Sequence, residues 1–141
     1  MYDIIWVMKC WFDGSSTKTR CGYGIIIKTE NSLLKLGVRV EGGLTNNTTE
    51  FLGLIEILKR IDEDAQIYGD SLLVINLMKG IYNPYKGKKR EEGKYLKYYR
   101  EAKELFDKLT QYHITFHWIP REENKEADSL ATGILKKNVK H

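Results

Sequence analysis

The sequence predicts an α/β fold: a five-stranded mixed sheet, three antiparallel strands followed by two parallel ones, with helices on both faces. Three observations predict it. The N-terminal third holds three apolar runs with strand character, separated by short polar turns. Apolar residues at helical spacing then take over. Two further short apolar runs each sit between helical segments. Strands joined by short turns form an antiparallel meander, whereas strands that return through helices lie parallel. The expected order is βββ-α-β-α-α-β-α.

Each element has its own warrant. Residues 2–13 are apolar on both alternating faces, with Ile4, Trp6, Met8, Cys10 and Phe12 on one and Ile5, Val7 and Trp11 on the other. A central strand covered on both sides has that pattern. Residues 14–20 read as a polar turn. Residues 21–29, with Ile25, Ile26 and Ile27, and residues 33–41 are the next strands, joined at Glu30-Asn31-Ser32. Gly42-Gly43 breaks the pattern. Residues 48–61 place Phe51, Leu54, Ile55, Leu58 and Ile61 on one helical face. Asn47, with Glu50 three residues later, has the form of a capping box. Residues 65–69 form a short buried strand, and Ser71 can cap a helix running to about Lys79. Residues 80–93, with Asn83-Pro84 and glycines, form a loop. Residues 94–109 carry Tyr95, Tyr98, Ala102, Leu105 and Leu109 on one stripe. Residues 112–119 alternate again and Pro120 ends them. A last helix runs from about Glu122 to Lys136, with Ala127, Leu130, Ala131, Ile134 and Leu135 inward.

Composition bounds the function. The 141 residues are expected to form a single domain, residues 1–141, large enough for a core. A chain that is 42% hydrophobic and 30% charged is neither disordered nor fibrous. No apolar run approaches the roughly 18 residues of a membrane span, and the opening Met-Tyr-Asp-Ile-Ile-Trp is not a secretory signal. The expectation is a cytoplasmic monomer without a membrane partner. Cys10 and Cys21 are too few for a disulfide framework or an all-Cys zinc site. Two small buried apolar side chains are expected rather than a cross-strand disulfide. The net charge of +4 does not by itself imply a polyanionic partner. Its distribution is more suggestive. Lys86, Lys88, Lys89, Arg90, Lys94, Lys97, Arg100 and Lys103 face only Glu91, Glu92 and Glu101, with Tyr82, Tyr85, Tyr95, Tyr98 and Tyr99 interleaved. Such a segment either grips phosphates or forms a solvated amphipathic helix and loop; both readings stay open.

Four acids carry the chemistry. Asp13 is expected to end the central strand, on the face shared by Val7 and Trp11. Asp70 ends another buried strand. In an open sheet, strands ending side by side deliver their last residues into one crevice. Glu50 lies in the first turn of a helix that must pack on that sheet, and Asp128 lies one residue from Ala127 on the last helix. Each has a simpler reading: a turn residue before Gly14, a capping acid, a helix N-cap, a surface charge. Carboxylates with apolar neighbours are costly to bury unless something cationic holds them, and four together suit hard divalent ions.

The chain resembles type 1 ribonuclease H over nearly its whole length. The matching pieces are Phe12-Asp13-Gly14-Ser15, Cys21-Gly22-Tyr23-Gly24, Thr45-Asn46-Asn47-Thr48-Thr49-Glu50, Gly69-Asp70-Ser71 and Asn124-Lys125-Glu126-Ala127-Asp128-Ser129-Leu130-Ala131. The resemblance implies a ribonuclease H-like fold and an endonuclease. It would cut the RNA strand of an RNA–DNA hybrid, leaving 5′-phosphate and 3′-hydroxyl ends. It implies two Mg²⁺ ions (or Mn²⁺), with Asp13 bridging them, Glu50 and Asp70 completing one site and Asp128 the other. It further implies that Asn46 and Asn47 read the minor groove, where the 2′-hydroxyl distinguishes RNA from DNA. Thr45 would hold a DNA-strand phosphate, and Gly14, Ser15 and Ser71 would also touch substrate.

Three departures qualify the match. Bacterial members carry a mobile His ten residues before the last Asp, where this chain has Trp118; His117 is one step off, on the opposite strand face. Arg121, within Trp118-x-Pro120-Arg121-Glu122-x-Asn124, resembles the archaeal form, in which the Arg would assist phosphate or product release. Leu72 stands where the family often has Gln. The segment from Tyr82 to Lys97 does not match the Trp-rich basic handle of bacterial members. Duplex RNA stays open as a second substrate. Two rivals are a binding module of the same fold with lost catalysis, and a transposase or resolvase-like nuclease core. The four acids argue against the first and the Thr-Asn-Asn-x-x-Glu pattern against the second.

Overall fold

A computed structural model describes residues 6–84 and 93–136. Five strands form one sheet in the order β3-β2-β1-β4-β5. They are β1 (Met8–Ser16), β2 (Cys21–Lys28), β3 (Leu33–Val40), β4 (Ala65–Gly69) and β5 (Ile114–Trp118). The first three pair antiparallel, and β4 and β5 add parallel to β1 and to each other. The helices are α1 (Asn46–Leu58), α2 (Leu72–Met78), α3 (Gly93–Lys108) and α4 (Lys125–Lys136), with a short 3₁₀ turn at Arg121–Glu123. The expected element order and mixed sheet are those observed.

The two sheet faces are covered by different helices. Gly53 of α1 meets Phe12 and Tyr23, so α1 lies on the Phe12 face. Gly24 of β2 lies against the backbone of Ala127 and Ala131, so α4 lies on the other face. The main core fills the α1 side, where Met8, Cys10, Phe12, Ile25, Phe51, Leu54, Ile57 and Ile67 are buried together. Phe51 stacks on Tyr95 and meets Tyr99 edge-on, which ties α3 to α1.

Several boundaries differ from expectation. Asp13 does not end β1. The strand runs to Ser16 because β2 keeps pairing with it, Ser15 to Gly22 and Ser16 to Cys21. On its other side the ladder with β4 stops at Trp11 and Tyr68. Asp13 therefore sits where one neighbour has ended and the other continues, at a notch in the sheet. The turn is correspondingly short, closed by Thr17 and Arg20. Trp6 and Val7 precede the strand, and residues 1–5 lie outside the described residues. Helix α1 starts earlier than expected. Its N-cap is Thr45, whose hydroxyl accepts from Thr48 N at 3.2 Å, so no capping box forms at Asn47. Ser71 caps α2 as expected, accepting from Val74 N. The last helix is split by Asn124 into the 3₁₀ turn and α4. Both cysteines are buried and free. They lie at opposite ends of the β1–β2 hairpin, Cys10 opposite Ile27 and Cys21 opposite Ser16, out of disulfide reach.

Candidate active site

The site is built at the sheet notch. Asp13 projects from the face shared with Trp11, Glu50 enters from the first turns of α1, and Asp70 follows the last residue of β4. One carboxylate oxygen from each of the three falls within 4.8 Å of the others. Asp128, half-buried on α4, stands beside Asp13 as a hydrogen-bonding and electrostatic neighbour. Four acids from four segments thus come together.

Two glycines make this approach possible. A Cβ at Gly14 would lie 2.6 Å from the Glu50 amide nitrogen, so only glycine lets α1 settle on β1 there. A Cβ at Gly24 would lie 2.4 Å from the Ala127 carbonyl, so the bare backbone of β2 admits α4 and with it Asp128.

Burial and mutual repulsion both act on the cluster. Asp13 is 5% exposed and Glu50 6%. Burial, with Asp70 and Asp128 adding repulsion, pushes Asp13 up to about 7, opposed by its hydrogen bond with Glu50. Burial, then Asp13 and Asp70, pushes Glu50 well above the usual carboxylate range. Glu50 Oε1 is buried with no hydrogen-bond partner among the described residues. The ion pairs Lys35–Glu126, Arg60–Glu56 and Lys103–Asp107 all lie elsewhere. Buried oxygens of this kind, in an all-carboxylate donor set, fit a hard divalent ion.

Residues 7–135 match the RNase H family. The chain belongs to the RNase H family. Its relatives include the bifunctional protein Rv2228c of Mycobacterium tuberculosis, 31% identical over 81% of this chain, which spans 31% of that protein's length. The putative hydrolase EbsB of Enterococcus faecalis is 32% identical over 82% of this chain and 83% of its own. Among solved structures, the N-terminal RNase H domain of Rv2228c is similar with a TM-score of 0.69 at 28% identity, over 94% of this chain and 95% of that one. RNase H1 of the archaeon Halobacterium salinarum has a TM-score of 0.73 at 24% identity, over 92% and 97%. LC11-RNase H1, isolated from compost and solved with an RNA/DNA hybrid, has a TM-score of 0.76 at 22% identity, over 94% and 99%. At those last two identities the likeness speaks for the RNase H fold.

The other anticipated residues divide. Thr45, Asn46 and Asn47 form the N-terminus of α1, Asn46 exposed and Asn47 half-buried. The first bond from the helix interior to the cap carbonyl is Thr49 N to Thr45 O, so the amides of Asn46 and Asn47 precede the helix's own bonding. The Thr45 hydroxyl is occupied, donating to Thr48 Oγ1 at 3.0 Å. Gly14 donates to Asp13 Oδ1, and Ser15 is half-buried in β1. The Ser71 hydroxyl caps α2 as an acceptor from Val74 N. Arg121 is exposed at the start of the 3₁₀ turn, with no ion pair among the described residues. His117 sits in a row of aromatic rings on the sheet. It stacks on Tyr68, which stacks on Trp11, and bonds Thr115. Burial and then Lys79 hold it below the usual imidazole value. Of the basic segment, residues 85–92 lie outside the described residues, and Tyr95 and Tyr99 are buried in the core rather than offered to solvent. From Gly93 onward the segment is an amphipathic helix.

One residue with a clear place in the site belongs to two of the matching motifs but carries no role that the sequence assigns. Asn124 is 2% exposed and reaches both strands that carry the central acids. In the sequence it closes Trp118-x-Pro120-Arg121-Glu122-x-Asn124 and opens Asn124-x-x-Ala127-Asp128, and a polar residue before a helix reads as a cap.

Proposed function

We propose that this protein is a metal-dependent endoribonuclease that hydrolyses the RNA strand of RNA–DNA hybrids, leaving 5′-phosphate and 3′-hydroxyl ends. One observation carries the reading: in a chain of the RNase H family, two buried carboxylates and one half-buried one converge within 4.8 Å, and one of them has an oxygen without a partner among the described residues. Asp13, Glu50 and Asp70 would hold one Mg²⁺ or Mn²⁺ ion, and Asp13 with Asp128 a second. Divalent ions there would stabilise charge on the phosphoryl oxygens and lower the pKa of a nearby water.

The chain's own residues do the rest. The cluster lies at the notch, with Asp70 and Asp128 half-exposed above the buried Asp13 and Glu50, so a duplex laid across it would present a backbone phosphate to them. The amides of Asn46 and Asn47 favour a phosphate oxygen, and their side chains are placed for the 2′-hydroxyls and base edges of the minor groove. Thr45 reaches a phosphate if its hydroxyl turns away from Thr48. Gly14, Ser15 and Ser71 line the approach as backbone and hydroxyl donors. Arg121, exposed and three residues before Asn124, would supply a cation toward the leaving phosphate. The enzyme would work as a cytoplasmic monomer formed by one domain.

The test is a cleavage assay on end-labelled hybrid, duplex RNA and duplex DNA, with Mg²⁺ and with EDTA. Metal-dependent cutting of the hybrid RNA strand is the expected result, and the duplex RNA lane decides the second substrate. Cutting of duplex DNA alone, or cutting in EDTA, would overturn the reading.

A further inference from the structure

We infer that Asn124 is a positioning residue: its buried amide fixes the spacing of Asp13 and Asp70 and so sets how tightly the acidic cluster holds a divalent cation. The inference rests on the proposed metal-binding role of those acids.

The geometry is specific. Asn124 Nδ2 donates to the Phe12 carbonyl at 2.9 Å and to Asp70 Oδ2 at 3.0 Å. One acceptor lies in β1, one residue before Asp13, and the other is an acid of the cluster itself. The parallel ladder between β1 and β4 has already stopped at Trp11 and Tyr68. The amide therefore acts as one more rung, placed where the backbone can no longer supply it. Asp70 lies beyond the end of β4, so no ladder bond fixes it. It is gripped instead at two points, its carboxylate by Asn124 and its carbonyl by the Trp118 indole N–H at 3.1 Å.

Asn124 also reaches the fourth acid through the backbone. Its carbonyl accepts from Asp128 N at 3.1 Å, the first turn of α4. One side chain and its carbonyl thus connect the segments bearing Asp13, Asp70 and Asp128.

The residue type fits this role better than a purely structural one. Asn124 Oδ1 is buried without a partner among the described residues, which costs free energy that an apolar side chain would avoid. What its primary amide adds are two neutral donors. A lysine or arginine in its place would also bond Asp70, but would neutralise it and compete with the cation. An amide holds the carboxylate in place and leaves its charge for the metal.

The experiment measures Mn²⁺ binding by calorimetry on the full chain, for wild type, Asn124→Ala and the volume-preserving Asn124→Leu. Hybrid binding in EDTA is measured alongside. Loss of an outer partner of a metal ligand typically weakens affinity by about 10–100-fold. We expect a fall in that range for whichever variant is folded by circular dichroism, with metal-free hybrid affinity within about twofold of wild type. Leucine keeps the volume, so it tests the donors even if alanine unfolds the chain. Unchanged Mn²⁺ affinity would overturn the inference, and so would an equal fall in metal-free hybrid affinity, which marks general loosening. Failure of wild type to bind Mn²⁺ would instead overturn the proposed function and this inference with it.

Discussion

Replacing Asp13 with asparagine should stabilise the metal-free protein while abolishing its activity. Asp13 has its pKa raised from 3.8 to about 7, chiefly by burial. The folded state then binds a proton that the unfolded chain releases. Stability from this group is intact below about pH 4, falls as pH rises through the window from 3.8 to about 7, and is level above it. Three pH units correspond to about 4 kcal/mol at pH 8. That figure is a ceiling, because the proton is shared with Glu50. Asparagine keeps the Oδ1 that accepts from Gly14, and carries no charge to bury. An expected gain of about 1–3 kcal/mol translates into a Tm rise of roughly 3–9 °C for a chain of this size. The assay is differential scanning calorimetry in EDTA at pH 8 and pH 5. The gain should shrink at pH 5, where wild type already holds the proton. With saturating Mg²⁺ the order should reverse, since only wild type has the full ligand set. A Tm at pH 8 that is unchanged or lower in Asp13→Asn would refute the electrostatic argument. Wild-type turnover in the same variant would refute its catalytic assignment.

Three further outcomes follow from the site. Gly14→Ala forces a Cβ against the Glu50 amide at 2.6 Å, so overpacking should cost about 1–3 kcal/mol and weaken Mn²⁺ binding; a urea titration and calorimetry check both. Thr45→Ala removes the cap of α1, which should cost about 1 kcal/mol in urea unfolding and weaken hybrid binding in a filter assay. Arg121→Ala should lower kcat several-fold with little change in KM in steady-state kinetics; an unchanged kcat would reduce Arg121 to a surface charge.

Much of this molecule was legible in its residues. Period-two and helical spacing are local properties of the chain, so five strands and four helices could be read in order, and the four acids stood out within their motifs. What the chain could not state alone is where elements stop and what surrounds them. β1 passes Asp13 because β2 remains as its partner, and a strand's end is decided by its neighbour rather than by its own pattern. Thr45 rather than Asn47 caps α1, because several polar residues in a row offer equivalent caps and packing chooses among them. Tyr95 and Tyr99 resemble a nucleic-acid platform beside so many lysines, yet Phe51 of α1 draws them inside. Asn124 is an ordinary polar residue until β1, β4 and α4 close around it. The raised pKa of Asp13 likewise exists only once distant carboxylates share one poorly solvated space, and that sharing is a property of the folded chain alone.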